Sequence, residues 1–487
     1  MNPDIRSLEP QRLWNKFADL NAVPRPSKKE ERVIRFMVNF GKSLGLETFT
    51  DTIGNVIIRK PASPGMENRK MMTLQSHLDM VHQKNADTKF DFDTQGIAMY
   101  IDGDWVKAKG TTLGADNGLG VATIMALLEG TEIAHPPLEA LFTIDEETGM
   151  TGALGLEPNV LQGTILLNLD TEEDDELDIG CAGGIDVTAE GTYESDLPLR
   201  DHVTYEITVK GLSGGHSGIE IHKGLGNANT IMNGLLFAES GPSGMRIIQI
   251  EGGGLRNAIP RESKALVAVP KDGASDFEAR MHRSAETIVT THKKLDPEMN
   301  IGTMLVTASG PPMKQEAQAA LLEALKTAHN GVYAMSAEIP DLVETSNNIA
   351  RVTVRDGRIQ ISCLTRSSLE TGKMELAGNL RETFEKAGYQ VTFSGDYPGW
   401  KPNPKSPILK VLEETYTERF GERPKVVACH AGLECGILGR HYPEMDMISF
   451  GPTILGAHSP DERVQISSVQ KFWGFLLDVL KKIPKLH

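Results

Sequence analysis

Three short apolar runs in the first part of the chain each stop at a histidine or a carboxylate, and this repeated ending constrains the fold more than any other feature. Residues 71–76 run into His77-Leu78-Asp79, residues 138–144 into Asp145-Glu146-Glu147, and residues 164–169 into Asp170. Runs of this length, rich in branched and apolar side chains, read as buried strands. A helical stretch over 118–128 separates the first from the second, so strands and helices alternate as in an α/β layer structure with a mixed or parallel sheet. In open α/β sheets ligands bind beyond the carboxyl ends of the strands. Three successive strands delivering a histidine and carboxylates to that edge therefore read as a site.

The rest of the chain divides around this segment. Leu13, Trp14, Phe17 and Leu20, then Val33, Phe36, Met37 and Phe40, recur at three to four residues and predict two amphipathic helices within 8–46, followed by a strand at 55–58. Near residue 186 the texture changes: residues 202–209 alternate, 246–250 and 265–269 read as strands, and 275–295 and 316–327 as helices. A second set follows, with strands at 349–355 and 358–364, a helix at 367–387 and a strand at 390–393. The expected architecture is a discontinuous, mixed-sheet α/β catalytic domain flanked by helices, 1–185 and 397–487. It is interrupted by an inserted α+β lid, 186–396, of two related halves. Pro398, Gly399, Pro402, Pro404 and Pro407 mark the return as a hinge. A helix at 408–420, a strand at 447–450 and a helix at 469–480 then close the first domain.

Composition narrows the class of function. With 66 acidic against 50 basic side chains, a net charge of −16, the chain lacks the electrostatic footprint of a nucleic-acid or anionic-membrane protein. Four cysteines, none in a CxxC pair, read as reduced thiols. No basic-then-apolar leader opens the sequence and no apolar stretch is long enough to span a bilayer, so a cytoplasmic location is expected. Gly41-Lys42-Ser43 lacks the earlier glycine of a phosphate-binding loop, and Gly215-His216-Ser217-Gly218 lacks nucleophile-elbow spacing.

Two further places join the three strand ends. Asp116 stands where an apolar helix opens, at Leu113-Gly114-Ala115-Asp116-Asn117-Gly118, and is either its N-cap or a ligand. His458 lies far downstream in Gly456-Ala457-His458-Ser459-Pro460-Asp461-Glu462. Two histidines with several carboxylates and no thiolate suit zinc, manganese or cobalt better than magnesium. Seven of the nine residues in 170–178 are acidic, and so many carboxylates repel too strongly to share one site. Only Asp170, next to its strand, is nominated; most of the run is expected to be solvated.

Together, His77-Leu78-Asp79, Asp116-Asn117, Asp145-Glu146-Glu147, Asp170 and His458 resemble the five-motif signature of the co-catalytic zinc peptidases that include carboxypeptidase G, aminoacylase and the carnosinase-type dipeptidases. The resemblance covers essentially the whole chain and implies a phosphorylase/hydrolase-like fold. It implies that His77 and Asp170 hold one divalent metal, Glu147 and His458 a second, and that Asp116 bridges the two. It makes Glu146 the general base on the attacking water and Asp79 the partner that orients His77. A cis Asp116–Asn117 peptide is implied too. So is a substrate-binding set of His216, Asn257 in Arg256-Asn257-Ala258, Arg366 in Thr365-Arg366-Ser367, and Gly432. The activity implied is hydrolysis of short unblocked dipeptides, Xaa-His substrates such as carnosine among them, by a homodimer carrying zinc, with cobalt or manganese as alternatives. Deacylation of N-acyl amino acids on the same scaffold, or peptide binding without catalysis, are the competing readings. The chain departs from the family at Cys429-His430-Ala431-Gly432-Leu433-Glu434-Cys435, where Ser/Thr and Asp are usual. Here Glu434 and Gly432 are expected to shape the pocket, and His430 and the cysteines are not expected to bind metal.

Overall fold

The computed structural model describes residues 4–197, 199–308 and 310–486. The chain separates into two compact units, one comprising residues up to Cys181 with 400–428 and 433–487, the other 182–399 with 429–432.

The first unit is built on an eight-stranded sheet. In spatial order its strands are Glu47–Thr50, Val56–Lys60, Leu138–Thr143, Met72–His77, Ile165–Asn168, Asp446–Ser449, Glu176–Cys181 and Lys425–Cys429. The central four run parallel: Met72–His77 pairs in parallel with both Leu138–Thr143 and Ile165–Asn168, and Asp446–Ser449 with the latter. Val56–Lys60 pairs antiparallel with Leu138–Thr143, so the sheet is mixed. Every residue of Met72–His77, Leu138–Thr143 and Ile165–Asn168 is buried, as their unbroken apolar character demands of strands covered on both faces. The helix Ala115–Glu129 is buried along almost its whole circumference. The helices Gln11–Asn21, Glu31–Ser43 and Ile466–Lys482 are instead amphipathic, and Trp14, Phe17, Met37 and Leu476 belong to the buried core. Because the central strands are parallel, His77, Thr143 and Asn168 finish at one edge, and the residues next to them in the chain emerge there.

The second unit carries a nine-stranded antiparallel sheet. Its spatial order runs Asn300–Val306, His202–Lys210, Ser263–Pro270, Arg246–Gly253, Val343–Arg355, Arg358–Ser367, Gly183–Thr192, Gln390–Tyr397, with Gly331–Met335 pairing beside Val343–Arg355. The two sets of elements read from the sequence occupy the two ends of this one sheet. Helices Ala228–Glu239, Ala274–His292, Gln315–Thr327 and Glu370–Lys386 supply Met232, Leu236, Phe277, Leu321, Leu380 and Phe384 to its core.

Elements absent from the sequence reading include the hairpin Met99–Asp102 with Trp105–Ala108, the strands Gly183–Thr192, Asn300–Val306, Gly331–Met335 and Lys425–Cys429, and the helices Ala228–Glu239 and Glu434–His441. The shorter ones span too few residues to show a period, and in Ala228–Glu239 the buried set mixes Asn229, Asn233 and Glu239 with Met232, Leu235 and Leu236, which blurs it.

Candidate active site and metal centre

Five chain segments meet beyond the parallel strand ends. His77 is the last residue of its strand and 1% exposed. Its Nε2 lies 3.1 Å from Asp116 Oδ1 and 3.4 Å from Asp170 Oδ1. His458 Nε2 lies 3.0 Å from Asp116 Oδ2 and 3.0 Å from Glu147 Oε2. The two oxygens of Asp116 thus face two different imidazoles. Two donor triads result, His77/Asp116/Asp170 and His458/Asp116/Glu147, the ligand atoms of each within 4.8 Å of one another. Glu147 Oε1 is buried with no hydrogen-bond partner among the described residues.

Local structure explains how each group arrives. The helix Ala115–Glu129 has Gly114 as its N-cap in the left-handed region, and Asp116 makes no capping bond. Of the two sequence readings of Asp116, the cap is therefore set aside. The Asp116–Asn117 peptide is cis, and Asn117 Nδ2 donates to Leu169 O at 2.5 Å, tying the turn to the end of the strand that leads to Asp170. Asp79 accepts from the N–H groups of Glu146 at 3.0 Å and Glu147 at 3.3 Å and from Ser27 Oγ at 2.8 Å, while its Oδ1 stands 3.4 Å from His77 Nδ1. His77 Nδ1 also lies 3.1 Å from the backbone carbonyl of Asp79, so Asp79 meets the imidazole with its main chain as well as its carboxylate, and the carboxylate fixes the turn presenting both glutamates. Asp145, with φ +53°, caps that turn and accepts hydrogen bonds from Thr148 and Thr151. His458 has φ +63°, a conformation that non-glycine residues adopt rarely and most often where function holds them.

The electrostatics follow from packing acids together out of water. Hydrogen bonds to Asp116 and Glu147 push His458 up to about 11. Burial works against protonation of His77, yet Asp170 and Asp116 beside it hold it well above the ordinary imidazole range. Burial, then Asp116 and Glu147, push Asp170 up to about 6. Burial also raises Glu146 well above the usual carboxylate range, with Asp170, Glu147 and Glu434 adding to it. Protons hold this site together because it lacks enough fixed positive charge of its own. Divalent cations bind the same oxygens and nitrogens and replace those protons. Neutral imidazoles and carboxylates at this spacing, with an orphaned buried carboxylate oxygen among them, are a donor set fitted to two such ions.

Three acidic residues outside the predicted ligand set belong to this neighbourhood. Glu434, fully buried, accepts from Gln75 Nε2 and Thr143 Oγ1, both at 2.6 Å, and burial pushes it up to about 8. Glu172, in the acidic run 170–178, is half-buried rather than fully in solvent, and desolvation, then the charge of Asp116, pushes it up to about 8. Asp178 of the same run is buried, accepting from Thr171 Oγ1 at 3.0 Å. Glu173 is exposed and Asp174 to Glu176 are half-buried, with Asp175 paired to Lys425 at 2.8 Å. The third residue is Glu462, 2% exposed. Only the alternation of contacts in space marks these residues; an acidic run in sequence reads alike whether it is surface or site.

The second unit gathers its own polar cluster. His216 Nδ1 accepts from the N–H groups of Gly218 and Ile219, both at 3.1 Å, so the ring proton sits on Nε2 and the side chain presents a donor. Asn257 is exposed, and its carbonyl accepts from Ser217 N at 2.8 Å. Arg366, 4% exposed, donates from Nη1 to Tyr397 Oη at 2.9 Å and keeps a buried Nε without a partner among the described residues. His430 bonds Ser346 Oγ at 2.8 Å, and burial, then the charges of Arg366 and His216, lower it to about 3. Its neighbour Gly432 is half-buried in the same short segment. Cys181, Cys363 and Cys435 are buried, and burial raises each thiol, which suits packing.

The sequence pattern described as peptidase family M20/M25/M40 matches residues 73–482. The chain is 43% identical over 483 residues to the cytosol non-specific dipeptidase of Escherichia coli strain K12, covering 99% of both. It superposes on the crystal structure of aminoacylhistidine dipeptidase from Vibrio alginolyticus with a TM-score of 0.90 at 43% identity, covering 99% of each chain. A second solved structure, aminopeptidase PepT from Bacillus cereus, shares the fold at a TM-score of 0.57 and 16% identity, covering 98% of this chain and 99% of that one.

Proposed function

Since the chain belongs to peptidase family M20/M25/M40, we propose that it is a metal-dependent dipeptidase that hydrolyses unblocked dipeptides, Xaa-His among them. The observation that carries the reading is the pair of His/carboxylate triads sharing Asp116, with Glu146 beside them. His77 and Asp170 would hold one divalent ion, His458 and Glu147 the other, and Asp116 both; zinc fits this donor set, as do cobalt and manganese. Two ions at such a site acidify a water and polarise the scissile carbonyl.

The protein's own groups do the rest. Glu146 accepts the proton of the attacking water and passes it to the departing amine, which breaks the C–N bond as a free amino acid leaves. Its N–H on Asp79 keeps the carboxylate at a fixed place on the turn. Asp79 holds His77 in one orientation, so the same side chain serves base and ligand. Glu172 offers a carboxylate to the substrate's free ammonium, which favours unblocked peptides over N-acyl amino acids. His216, whose Nδ1 accepts from Gly218 and Ile219, would serve through Nε2–H as a donor to a developing oxyanion. Arg366 would bind a substrate carboxylate through two N–H groups, and Asn257 and Gly432 are assigned to substrate binding with it.

The test is a panel of free dipeptides, including Xaa-His and β-alanyl-histidine, set against N-acetylated counterparts and N-acyl amino acids. Activity on the free dipeptides should disappear on chelation and return with zinc, cobalt or manganese. Cleavage of N-acyl amino acids in preference to free dipeptides would establish the deacylase instead. We also infer a cytosolic location, in keeping with the name of the Escherichia coli relative, and a homodimer, to be measured by light scattering.

The raised histidines give this reading a signature in pH. A metal ion must displace the protons on His77, held well above the ordinary imidazole range, and His458, pushed up to about 11. Metal uptake at pH 7 should therefore release protons, and apparent affinity should fall as pH falls, by about tenfold per unit for each proton displaced. Calorimetric titration of the metal-free protein in two buffers of different ionisation enthalpy measures this. A binding heat independent of buffer would contradict the assignment of these histidines as ligands.

A further inference from the structure

Two buried charges outside the chemistry described above close on the Asp116 turn from opposite sides. Glu462 lies four residues beyond His458, on the same loop. Its Oε2 accepts from the N–H groups of Leu113 at 2.7 Å and Gly114 at 3.0 Å, and its Oε1 from those of Ala115 at 2.7 Å and Asp116 at 3.2 Å. Arg25 is 1% exposed. Its Nη2 donates to Gly114 O at 2.6 Å and Asn21 Oδ1 at 3.0 Å, and its Nη1 to Leu78 O at 3.1 Å and Asp79 O at 3.0 Å.

The peptide units of 113–116 thus point their N–H groups at an anion, and Gly114 points its carbonyl at a cation. Two glycines make the approach of the guanidinium possible. Gly114 has φ +69°, and a Cβ there would fall 2.5 Å from Arg25 Nη2; at Gly118 the distance would be 2.6 Å. An ordinary N-cap satisfies one or two of a helix's first N–H groups. Here one carboxylate takes four in succession, ending on Asp116 itself, and it is carried by the loop that carries His458. The Arg25 fork meanwhile ties that turn to the backbone just after His77.

We propose that Glu462 and Arg25 are positioning residues for the metal centre: they set the Asp116 carboxylate so that one oxygen faces His77 and the other His458. Through Glu462, delivery of His458 and placement of Asp116 become one event. The proposal rests on the reading of Asp116 as the shared ligand, and the test separates the two.

The full-length protein is stripped of metal and titrated with cobalt(II), read by visible absorption and by bound metal per chain. Glu462→Gln leaves acceptors for fewer of the four N–H groups, and Arg25→Lys keeps the charge but loses the fork. Both should bind the cobalt pair roughly 10- to 100-fold more weakly, with altered absorption bands and a loss in kcat rather than a rise in KM. Val479→Ala, a change to a buried side chain of the last helix, serves as a destabilised control and should titrate as wild type. If Asp116→Asn keeps both ions at wild-type affinity, the shared-ligand reading fails and this proposal with it. If Asp116→Asn loses cobalt while Glu462→Gln and Arg25→Lys bind as wild type, the positioning proposal alone is overturned. Should Glu462→Gln not fold, Arg25→Lys decides by the same readings.

Discussion

Replacing Glu146 by glutamine is expected to lower kcat by about 10²- to 10⁴-fold, the usual contribution of a positioned general base, while metal content stays at the wild-type level. The amide keeps the size of the side chain and the backbone N–H bond to Asp79 but cannot take a proton. Burial and the neighbouring acids hold the Glu146 carboxyl well above its ordinary range, which places it nearer the neutral pH where a base that must later act as an acid works best. Bound dications draw it back down. Rate and metal content measured on one preparation decide the matter. Parallel loss of both would make Glu146 a ligand, and an unchanged rate would remove it from the mechanism.

His458→Ala is expected to have the second-largest effect, because it strips one triad of its only imidazole. Bound metal should fall from two ions per chain toward one, and activity should fall with it. His77→Ala should do the same to the other triad. The two are not equivalent: His77 is held by Asp79, Asp116 and Asp170 together, whereas His458 faces Asp116 and Glu147 from a loop, with its side chain 56% exposed. Added metal at high concentration should therefore restore more activity to His458→Ala than to His77→Ala. Metal analysis after dialysis gives the stoichiometry, and two ions retained in either variant would refute that ligand.

His77, Asp170 and the Asp145-Glu146-Glu147 turn were legible because each follows directly on a buried strand. The apolar run announces the strand, the parallel sheet fixes which edge its end reaches, and the next residue in the chain has nowhere else to go. Asp116 was legible in place but ambiguous in role, since a carboxylate at a helix opening serves as a cap or a ligand with the same local sequence. What favours the ligand reading is that His77 and His458 face its two oxygens. Glu172 shows the opposite case. It shares a run with exposed Glu173, and no local signal separates them, yet the carbonyl of Glu172 accepts from Ile454 N, which holds that part of the run against the strand before the His458 loop.

By itself the sequence determined the alternation of strands and helices, the edge at which the acids emerge, and the kinds of donor available, because these follow from the period of apolar residues and from side-chain chemistry. The tertiary structure alone decided what supports them. Glu462 meets the backbone of Leu113 across 349 positions, Glu434 meets Gln75 across 359, and Arg25 finds three carbonyl oxygens. Such partners are backbone amides or distant polar side chains, whose identity leaves no mark on the sequence nearby. Only the folded chain, by excluding water from them, makes those hydrogen bonds obligatory.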